Sequence, residues 1–158
     1  MSTTPTSALL SIPLLTNENE GYALRYPAEY HVVFFGRSVC FTLAQTDGRP
    51  SACHAANAIL DVSDAEGRTL VNAADELAAN GNPSVEITRT NMKIGGENGE
   101  NAILLKNIYT YDVLLQLVVI HNNRIYVFTF VPWVEGTDEF QRLQPLYSTL
   151  ISSFTFLD

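Results

Sequence analysis

The stretch VLLQLVVIHNNRIYVFTFVPW, residues 113–133, contains two apolar runs separated by two asparagines. The runs at 113–120 and 124–133 are rich in the β-branched and aromatic residues that favour strands. Asn122 and Asn123 tolerate the left-handed backbone conformation that a two-residue hairpin turn requires. The stretch therefore predicts a tight antiparallel hairpin near the end of the chain.

Other strand patterns precede this hairpin. Residues 22–26, YALRY, alternate between apolar and other residues, and Pro27 ends the run because proline cannot donate to a strand ladder. Further strands are predicted at 31–35, 39–44, 58–62, 84–95 and 102–121, the last with a break near 107–110. The order indicates an antiparallel meander.

Two segments have helical periodicity. Residues 69–80 begin at a capping Thr69 and carry one apolar face, and Asn80 and Gly81 end the pattern. Residues 137–154 carry a second apolar stripe after a capping Thr137. Pro145 lies within this stripe, so we expect a kink or a restart of the helix near Gln144.

These elements predict one α+β domain over residues 19–158. Its antiparallel sheet has about six to seven strands and is sandwiched with the two helices, because each helix must bury one face. Residues 1–18 are rich in Ser, Thr and Pro at the start and lack the features of a signal peptide, so we expect them to form a flexible tether.

The charge of the chain excludes several partners. The formal net charge is −8 and the pI is about 4.7. This sign opposes binding to nucleic acid and to anionic membranes, and no Lys/Arg cluster reverses it locally. No apolar run reaches the roughly 18 residues that a membrane-spanning helix needs, so no transmembrane segment is expected.

The opening GY-x-L-x-YP-x-x-Y pattern and the closing aromatic strand and helix resemble the PsbP-like superfamily. The residues that carry the likeness are Gly21, Tyr22, Leu24, Tyr26, Pro27, Tyr30, Tyr126, Phe128, Phe130, Leu146, Leu150, Ile151, Ser153 and Phe154. The resemblance implies a central antiparallel sheet between helices. It also implies a role in binding a larger partner, as in the photosystem II extrinsic P subunit, a Ran-binding nuclear import factor and bacterial secreted or lipid-anchored members of unknown role.

No motif predicts a metal or phosphate site. The Cys and His residues lack the spacing that presents two zinc ligands from one turn. Asp61, Asp64 and Glu66 depart from the calcium-loop pattern and are better explained as a solvated acidic loop. GGENG at 95–99 precedes a strand, which indicates a hairpin turn rather than a phosphate loop. No metal and no cofactor are expected.

Nucleophilic catalysis has little support. No G-x-S-x-G elbow is present, and only a pairing of Cys53 with His31 or His121 in three dimensions would supply a nucleophile and its base. We expect no catalytic residues and a protein that is not an enzyme.

Cys40 and Cys53 leave two interpretations open. They either form a disulfide across a loop of about 14 residues or remain free thiols, one in the core and one in a loop. A disulfide would indicate an extracytoplasmic location at the cell envelope of a bacterium, whereas free thiols would indicate the cytoplasm.

The sequence therefore predicts a non-enzymatic binding or accessory module that docks on a larger protein with a basic or neutral surface. The candidate partner surface contains Trp133, Tyr109, Tyr30 and His54, together with the loop at 46–56. Trp133 has a second interpretation, in which it covers the end of the sheet under the C-terminal helix.

Two alternatives differ in class or compartment. A small hydrolase or ligand-binding protein would have a pocket between sheet and helix, above about 300 Å³ and including His54 or His121. A cytosolic transport or chaperone-like factor would have free thiols. The chain is expected to be a monomer or a weak homodimer, because its edge strands are able to pair two copies.

Overall fold

Two antiparallel sheets and two helices form the fold in the residues that the computed structural model describes, which are 12–43, 53–96 and 99–157. The elements are β1 (Leu14–Asn17), β2 (Tyr22–Arg25), β3 (Tyr30–Phe35), β4 (Ser38–Leu43), β5 (Ala58–Asp64), α1 (Leu70–Ala78), β6 (Thr88–Ile94), β7 (Glu100–Tyr109), β8 (Val113–His121), β9 (Arg124–Phe130), α2 (Asp138–Ser153) and β10 (Thr155–Phe156). A 3₁₀ turn at Cys53–Ala55 precedes β5.

The large sheet has seven strands in the order β3-β4-β5-β9-β8-β7-β6, and all of its pairs are antiparallel. The predicted α+β sandwich is confirmed. The small sheet, β1-β2-β10, was not predicted, and it moves the YALR strand out of the main sheet.

The two faces of the large sheet bury different helices. Leu117 and Phe128 face the side covered by α2 and the small sheet, where Leu143, Leu146 and Leu150 are buried. On the opposite face, residues such as Leu105, Ile108, Leu114, Val118 and Ile125 pack with Ala73 and Ala74 of α1. Successive side chains of each strand point to opposite faces of the sheet, so the same strands contribute to the core under α2 and to the core under α1.

The hairpin between β8 and β9 has the predicted turn. Asn122 and Asn123 have φ angles of 49° and 60°, and His121 pairs with Arg124 on either side of them. The left-handed conformation of both asparagines fits the right-handed twist of the paired strands.

Both helices begin where the sequence predicted. Thr69 caps α1 by accepting the Asn72 backbone N–H at 3.1 Å, and Thr137 caps α2 by accepting the Phe140 N–H at 3.2 Å. The expected restart of α2 near Gln144 is wrong, because one helix runs from 138 to 153 through the exposed Pro145. Leu143 and Leu146 are buried on either side of this proline, which holds both parts of the helix on the same core.

The small sheet corrects the predicted tether. β1 pairs with β2 from Leu14↔Arg25 to Asn17↔Tyr22, so residues 14–17 are part of the fold and not of a flexible segment over 1–18. Leu15 packs on the core beneath α2. Residues 1–11 lie outside the described residues.

A row of aromatic rings joins the small sheet to the large one. Tyr22 is fully buried and stacks on Phe154 with ring centroids 5.6 Å apart. Tyr126 meets the same Phe154 ring edge-on at 5.8 Å, and Phe128 meets it at 5.3 Å. Each edge-to-face pair adds about 0.5–1.5 kcal/mol to the hydrophobic burial of the rings.

Cys40 and Cys53 form a disulfide with Cα atoms 5.6 Å apart. Cys40 lies in β4 with 2% of its surface exposed, and Cys53 begins the 3₁₀ turn. The bond ties the turn to the face of the large sheet opposite α2, and it closes a sequence separation of 13 residues.

Reduction of this disulfide is expected to lower the free energy of unfolding by about 2–3 kcal/mol, because the reduced unfolded chain regains the entropy of an open loop. Urea unfolding with and without a reductant measures the difference. Cys53→Ala is the control and should respond to the reductant by less than about 0.5 kcal/mol. Equal stability of the wild type in both conditions would contradict the expectation.

Tyr22 is expected to make the fold sensitive to alkali. Burial raises the pKa of its hydroxyl from 10.0 to about 12, and the Asn17 side chain, 3.3 Å away, offsets this in part. Because the pKa is higher in the folded state, the protonated Tyr22 stabilises the fold fully below about pH 10. This contribution to the free energy of unfolding, about 2.7 kcal/mol for two pKa units, is lost as the pH rises through 12. Urea unfolding of wild type and Tyr22→Phe across this interval checks it. If the free energy of unfolding changed with pH equally in wild type and Tyr22→Phe, Tyr22 would not titrate in this way.

Candidate functional site

The segment after β9 fixes Trp133 at one end of the large sheet. The Val131–Pro132 peptide bond is cis. The Trp133 N–H donates to the Val113 carbonyl at 2.9 Å. Its indole packs edge-on against Phe140 at 5.0 Å and contacts Tyr147 at 5.4 Å, and 9% of the residue is exposed. Trp133 therefore lies under α2, as in the second interpretation of the sequence.

A β-bulge in β7 shapes the neighbouring wall. Leu105 pairs with Gln116 and Ile108 pairs with Leu114, so two residues, Lys106 and Asn107, lie opposite one residue of β8. Asn107 takes a φ of 67°. The extra residue keeps the buried Ile108 on the α1 side and leaves Lys106 on the α2 side, next to Trp133.

We call the space between these walls the Trp133 cleft. It has a volume of about 340 Å³ and is lined by Thr88, Lys106, Asn107, Tyr109, Trp133, Val134 and Glu135. A second cavity of about 220 Å³, between the sheet and α2, shares Lys106 and Trp133 with it. The Trp133 cleft is at the lower end of the range of about 300–1,000 Å³ that is typical of small-molecule sites, and the second cavity is smaller.

Apolar side chains are exposed at the rim of this cleft. Tyr109 is 42% exposed and Val134 is 39% exposed. Tyr111, two residues beyond Tyr109 in the turn to β8, is 83% exposed. The turn is held by the Thr110 N–H, which donates to the Asp112 carbonyl at 2.9 Å, so the tyrosines are presented from a bonded turn. We refer to Tyr109, Tyr111 and Val134 as the aromatic rim.

The charged residues of the cleft are of opposite sign, Lys106 on β7 and Glu135 in the loop before α2. In the second cavity, burial raises the pKa of the Tyr147 hydroxyl. The cleft thus combines aromatic walls with one cation and one carboxylate, which suits recognition of a polar group beside an apolar one.

The other residues predicted for the partner surface lie elsewhere. Tyr30 is 6% exposed, so its assignment as an exposed anchor is wrong; as the first residue of β3 it packs into the core beneath α2. Burial raises its pKa. His54 is exposed on the 3₁₀ turn beside the disulfide. Most of the predicted loop at 46–56 lies outside the described residues.

The structure does not assemble the nucleophile that the sequence left open as an alternative. The Cys53 sulfur is bonded to Cys40, so it is not a free thiol that His31 or His121 could activate in this state. His121 stacks on Phe156 at 4.0 Å, and its Nδ1 lies 3.4 Å from Glu100. Over the described ranges, no three His, Cys, Asp or Glu side chains gather in a way that would hold a metal ion.

Another cavity, of about 500 Å³, lies between the β1–β2 turn and the β3–β4 turn. Two of its charged groups, Glu20 and Arg37, bind each other. Arg37 donates to both carboxylate oxygens of Glu20, at 2.7 and 3.0 Å, and to Asp64 at 3.1 Å. These contacts give Arg37 and Glu20 a structural role, because they connect the β1–β2 turn to the β3–β4 turn. The Trp133 cleft is therefore the better candidate site.

No protein-family model matches the chain, and no curated protein matches it. In the described part of the chain, no helix is both long and apolar enough to cross a membrane.

Sequence reasoning missed Lys106 and Glu135 as residues of the site. One signal was present, since Lys106-Asn107 is a polar pair inside the apolar run AILLKNIY. A polar pair in a strand pattern is typical of a bulge, but only the pairing with β8 shows which face each residue takes.

Asn107→Val is expected to lower the free energy of unfolding by about 1–2 kcal/mol, because a β-branched residue is strained at a φ of 67°. Asn107→Gly, which accepts this φ without strain, is the control and should stay within about 0.5 kcal/mol of wild type. Thermal unfolding of the two variants provides the comparison. If valine were tolerated as well as glycine, the bulge would not depend on the left-handed residue.

Proposed function

We propose that this protein is a non-enzymatic binding module that docks on a larger protein through the Trp133 cleft and its aromatic rim. The observation that carries the proposal is the exposure of Tyr109 and Tyr111, at 42% and 83%, beside a cleft walled by Trp133. Tyrosine and tryptophan beside a pocket are the residues that most often dominate the affinity of a protein interface.

The contacts that hold the Trp133 cleft make it a rigid docking surface before a partner binds. Trp133 is held by the Val113 carbonyl and by the rings of α2, so its indole is ordered before a partner arrives. Tyrosines on a bonded turn lose little conformational entropy on binding, since they have few rotatable bonds. A partner side chain inserted into the cleft would contact Lys106 on one wall and Glu135 in the loop.

The charge of the protein defines the partner's surface. With a formal net charge of −8, the chain attracts a basic surface, does not oppose a neutral one and repels an acidic one. The resemblance to the PsbP-like superfamily, whose known members bind larger partners, agrees with this proposal and rests on sequence features alone.

The proposed site of action is the cell envelope of a bacterium, outside the cytoplasm. The Cys40–Cys53 disulfide supports this compartment, since structural disulfides persist where the environment is oxidising. Free thiols in protein taken from its natural source would favour the cytoplasmic alternative.

A second candidate function is the binding of a small ligand, with or without hydrolysis. The volume of the Trp133 cleft, about 340 Å³, favours it, since this is enough for a small organic molecule. The cleft is not lined by the histidines that this alternative predicted, His54 and His121. A thermal shift of the wild type with a small-molecule library, absent in Lys106→Ala, would favour the ligand over the protein partner.

Replacement of the exposed rim tyrosines is expected to abolish docking. Tyr109→Ala/Tyr111→Ala should weaken binding of a partner at least about tenfold without unfolding the protein, because both side chains are exposed in the free chain. The measurement is quantitative enrichment from extracts of the source cells, followed by titration of each purified partner.

The control for this experiment is Leu14→Ala/Val71→Ala, which removes two exposed apolar side chains at other places on the surface. A partner retained by the control and lost by the tyrosine variant supports the proposal. If both variants enrich the same proteins with the same affinity as the wild type, the aromatic rim is not the docking surface.

A further inference from the structure

Lys106 lines the second cavity, between the large sheet and α2, and has no partner there within the described ranges. The residue is partly buried, and its ammonium group makes no ion pair, hydrogen bond or ring contact with a described residue. Several arginines, by contrast, bind carboxylates of this chain, namely Arg37, Arg68, Arg89 and Arg124. A partly buried cation without a counter-ion at the wall of a cavity is a candidate binding group for an anion.

Other hydrogen-bond donors line the same cavity. The Trp133 indole N–H makes no hydrogen bond in the described part of the chain. It is not fully buried, since the one fully buried side-chain atom without a partner in that part is Thr42 Oγ1. The Tyr147 hydroxyl donates only to the Met92 sulfur at 4.0 Å, and sulfur is a weak acceptor. The exposed amide of Gln144 is a further donor, and no described Asp or Glu lines this cavity.

The floor of the second cavity is apolar. Leu104 of β7 and Leu115 of β8 form it, and both belong to the core beneath α2. At roughly 30 Å³ for each water-sized group, its volume of about 220 Å³ holds about seven non-hydrogen atoms. A carboxylate group and a leucine side chain together have this number, whereas an aromatic side chain with a carboxylate has more. The cavity therefore fits an anion joined to a small branched apolar group.

We propose that the second cavity binds the C-terminal residue of a partner protein, with the terminal carboxylate at Lys106 and the Trp133 indole N–H. The side chain of that residue, of the size of leucine, covers the apolar floor. A chain terminus carries both groups on one Cα atom, whereas the side chain of an internal Asp or Glu has no apolar branch. This inference rests on the proposed function and names the part of the partner that the site recognises.

The Trp133 cleft gives the rest of the partner's chain a path out of the second cavity. The two spaces share Lys106 and Trp133, so a residue bound in the cavity leads into the cleft. Glu135 lines that path and has no ion-pair partner among the described residues. A basic residue shortly before the C-terminus would pair with Glu135, which agrees with the attraction of this acidic chain to a basic surface.

Fluorescence anisotropy of a labelled peptide titrated with the full chain tests the proposal. The peptide is fluorescein–Gly-Ser-Gly-Lys-Ser-Leu with a free C-terminal acid, compared with the same peptide ending in an amide. The acid should bind with a Kd on the order of 100 µM at physiological salt. The amide should bind at least about tenfold more weakly, because it has no charge and one acceptor oxygen fewer. Tryptophan in place of the terminal leucine should weaken binding about fivefold, because its side chain exceeds the volume of the cavity.

The first variant removes the charge of Lys106. Lys106→Met keeps the aliphatic stem, so it should weaken binding of the acid peptide at least about tenfold and abolish the difference between acid and amide. Its control is Lys93→Met, the same change at an exposed position of β6 that does not line the cavity. The control should leave the Kd within about twofold of wild type.

A second pair of variants keeps the test independent of the folding of Lys106→Met. Gln144→Glu introduces a carboxylate into the cavity from an exposed position of α2 and should weaken binding of the acid peptide at least about fivefold. Gln141→Glu makes the same change about one turn earlier in α2, where the side chain lines a different cavity. This control should also leave the Kd within about twofold.

Each outcome supports or overturns the proposal. An acid peptide that does not bind at about 1 mM protein, or that binds no more tightly than the amide, overturns it. A loss of affinity that the Lys93→Met or Gln141→Glu control shares also overturns it. Competition by N-acetyl-leucine as strong as that by the unlabelled peptide overturns the assignment to a protein terminus. Tighter binding of the acid that is lost in Lys106→Met and Gln144→Glu alone supports the proposal.

The failure of this inference is distinguishable from the failure of the proposed function. If a partner is lost by Tyr109→Ala/Tyr111→Ala but binds Lys106→Met and Gln144→Glu as tightly as wild type, the recognition of a C-terminus is wrong and docking through the aromatic rim stands. If no partner depends on the rim tyrosines, the proposed function itself fails, whatever the peptides do.

Discussion

The packing of aromatic rings between the large sheet and α2 is the interaction on which the rest of the structure depends. Phe154 lies where three elements meet, against Tyr22 of the small sheet and against Tyr126 and Phe128 of β9. The same layer of rings continues along β9 to Phe130, which contacts Trp133 at 6.2 Å. One apolar layer therefore holds the small sheet, the helix and the wall of the cleft together.

This layer explains why the ends of the large sheet have different properties. At the β7 end, Trp133 and the bulge at Lys106 and Asn107 form a concave surface, and the neighbouring tyrosines at the turn beyond β7 are exposed. At the β3 end the strand edge itself is exposed, without a bulge or a charge. The proposed docking cleft is thus a feature of the β7 end of the sheet alone.

The helix caps and the hairpin turn could be predicted from the sequence, because they depend on a few neighbouring residues. Thr69, Thr137 and the Asn122–Asn123 turn are positioned by their own backbone preferences, and each was found where predicted. β1 and β10 were missed because strands of four and two residues exist only through pairing with β2. The site was predicted in part: Tyr109 and Trp133 line one cleft, but the face taken by Lys106 follows from a register shift that no single strand pattern reveals.

Trp133 is the single tryptophan of the chain, so its fluorescence tests most directly whether the aromatic layer is one cooperative unit that includes the cleft wall. Urea unfolding followed by Trp133 emission and by far-ultraviolet circular dichroism should give coincident transitions, starting from the blue-shifted emission of a buried indole. Native emission at the wavelength of a water-exposed indole, or a Trp133 transition at lower urea than that of the strands, would contradict it.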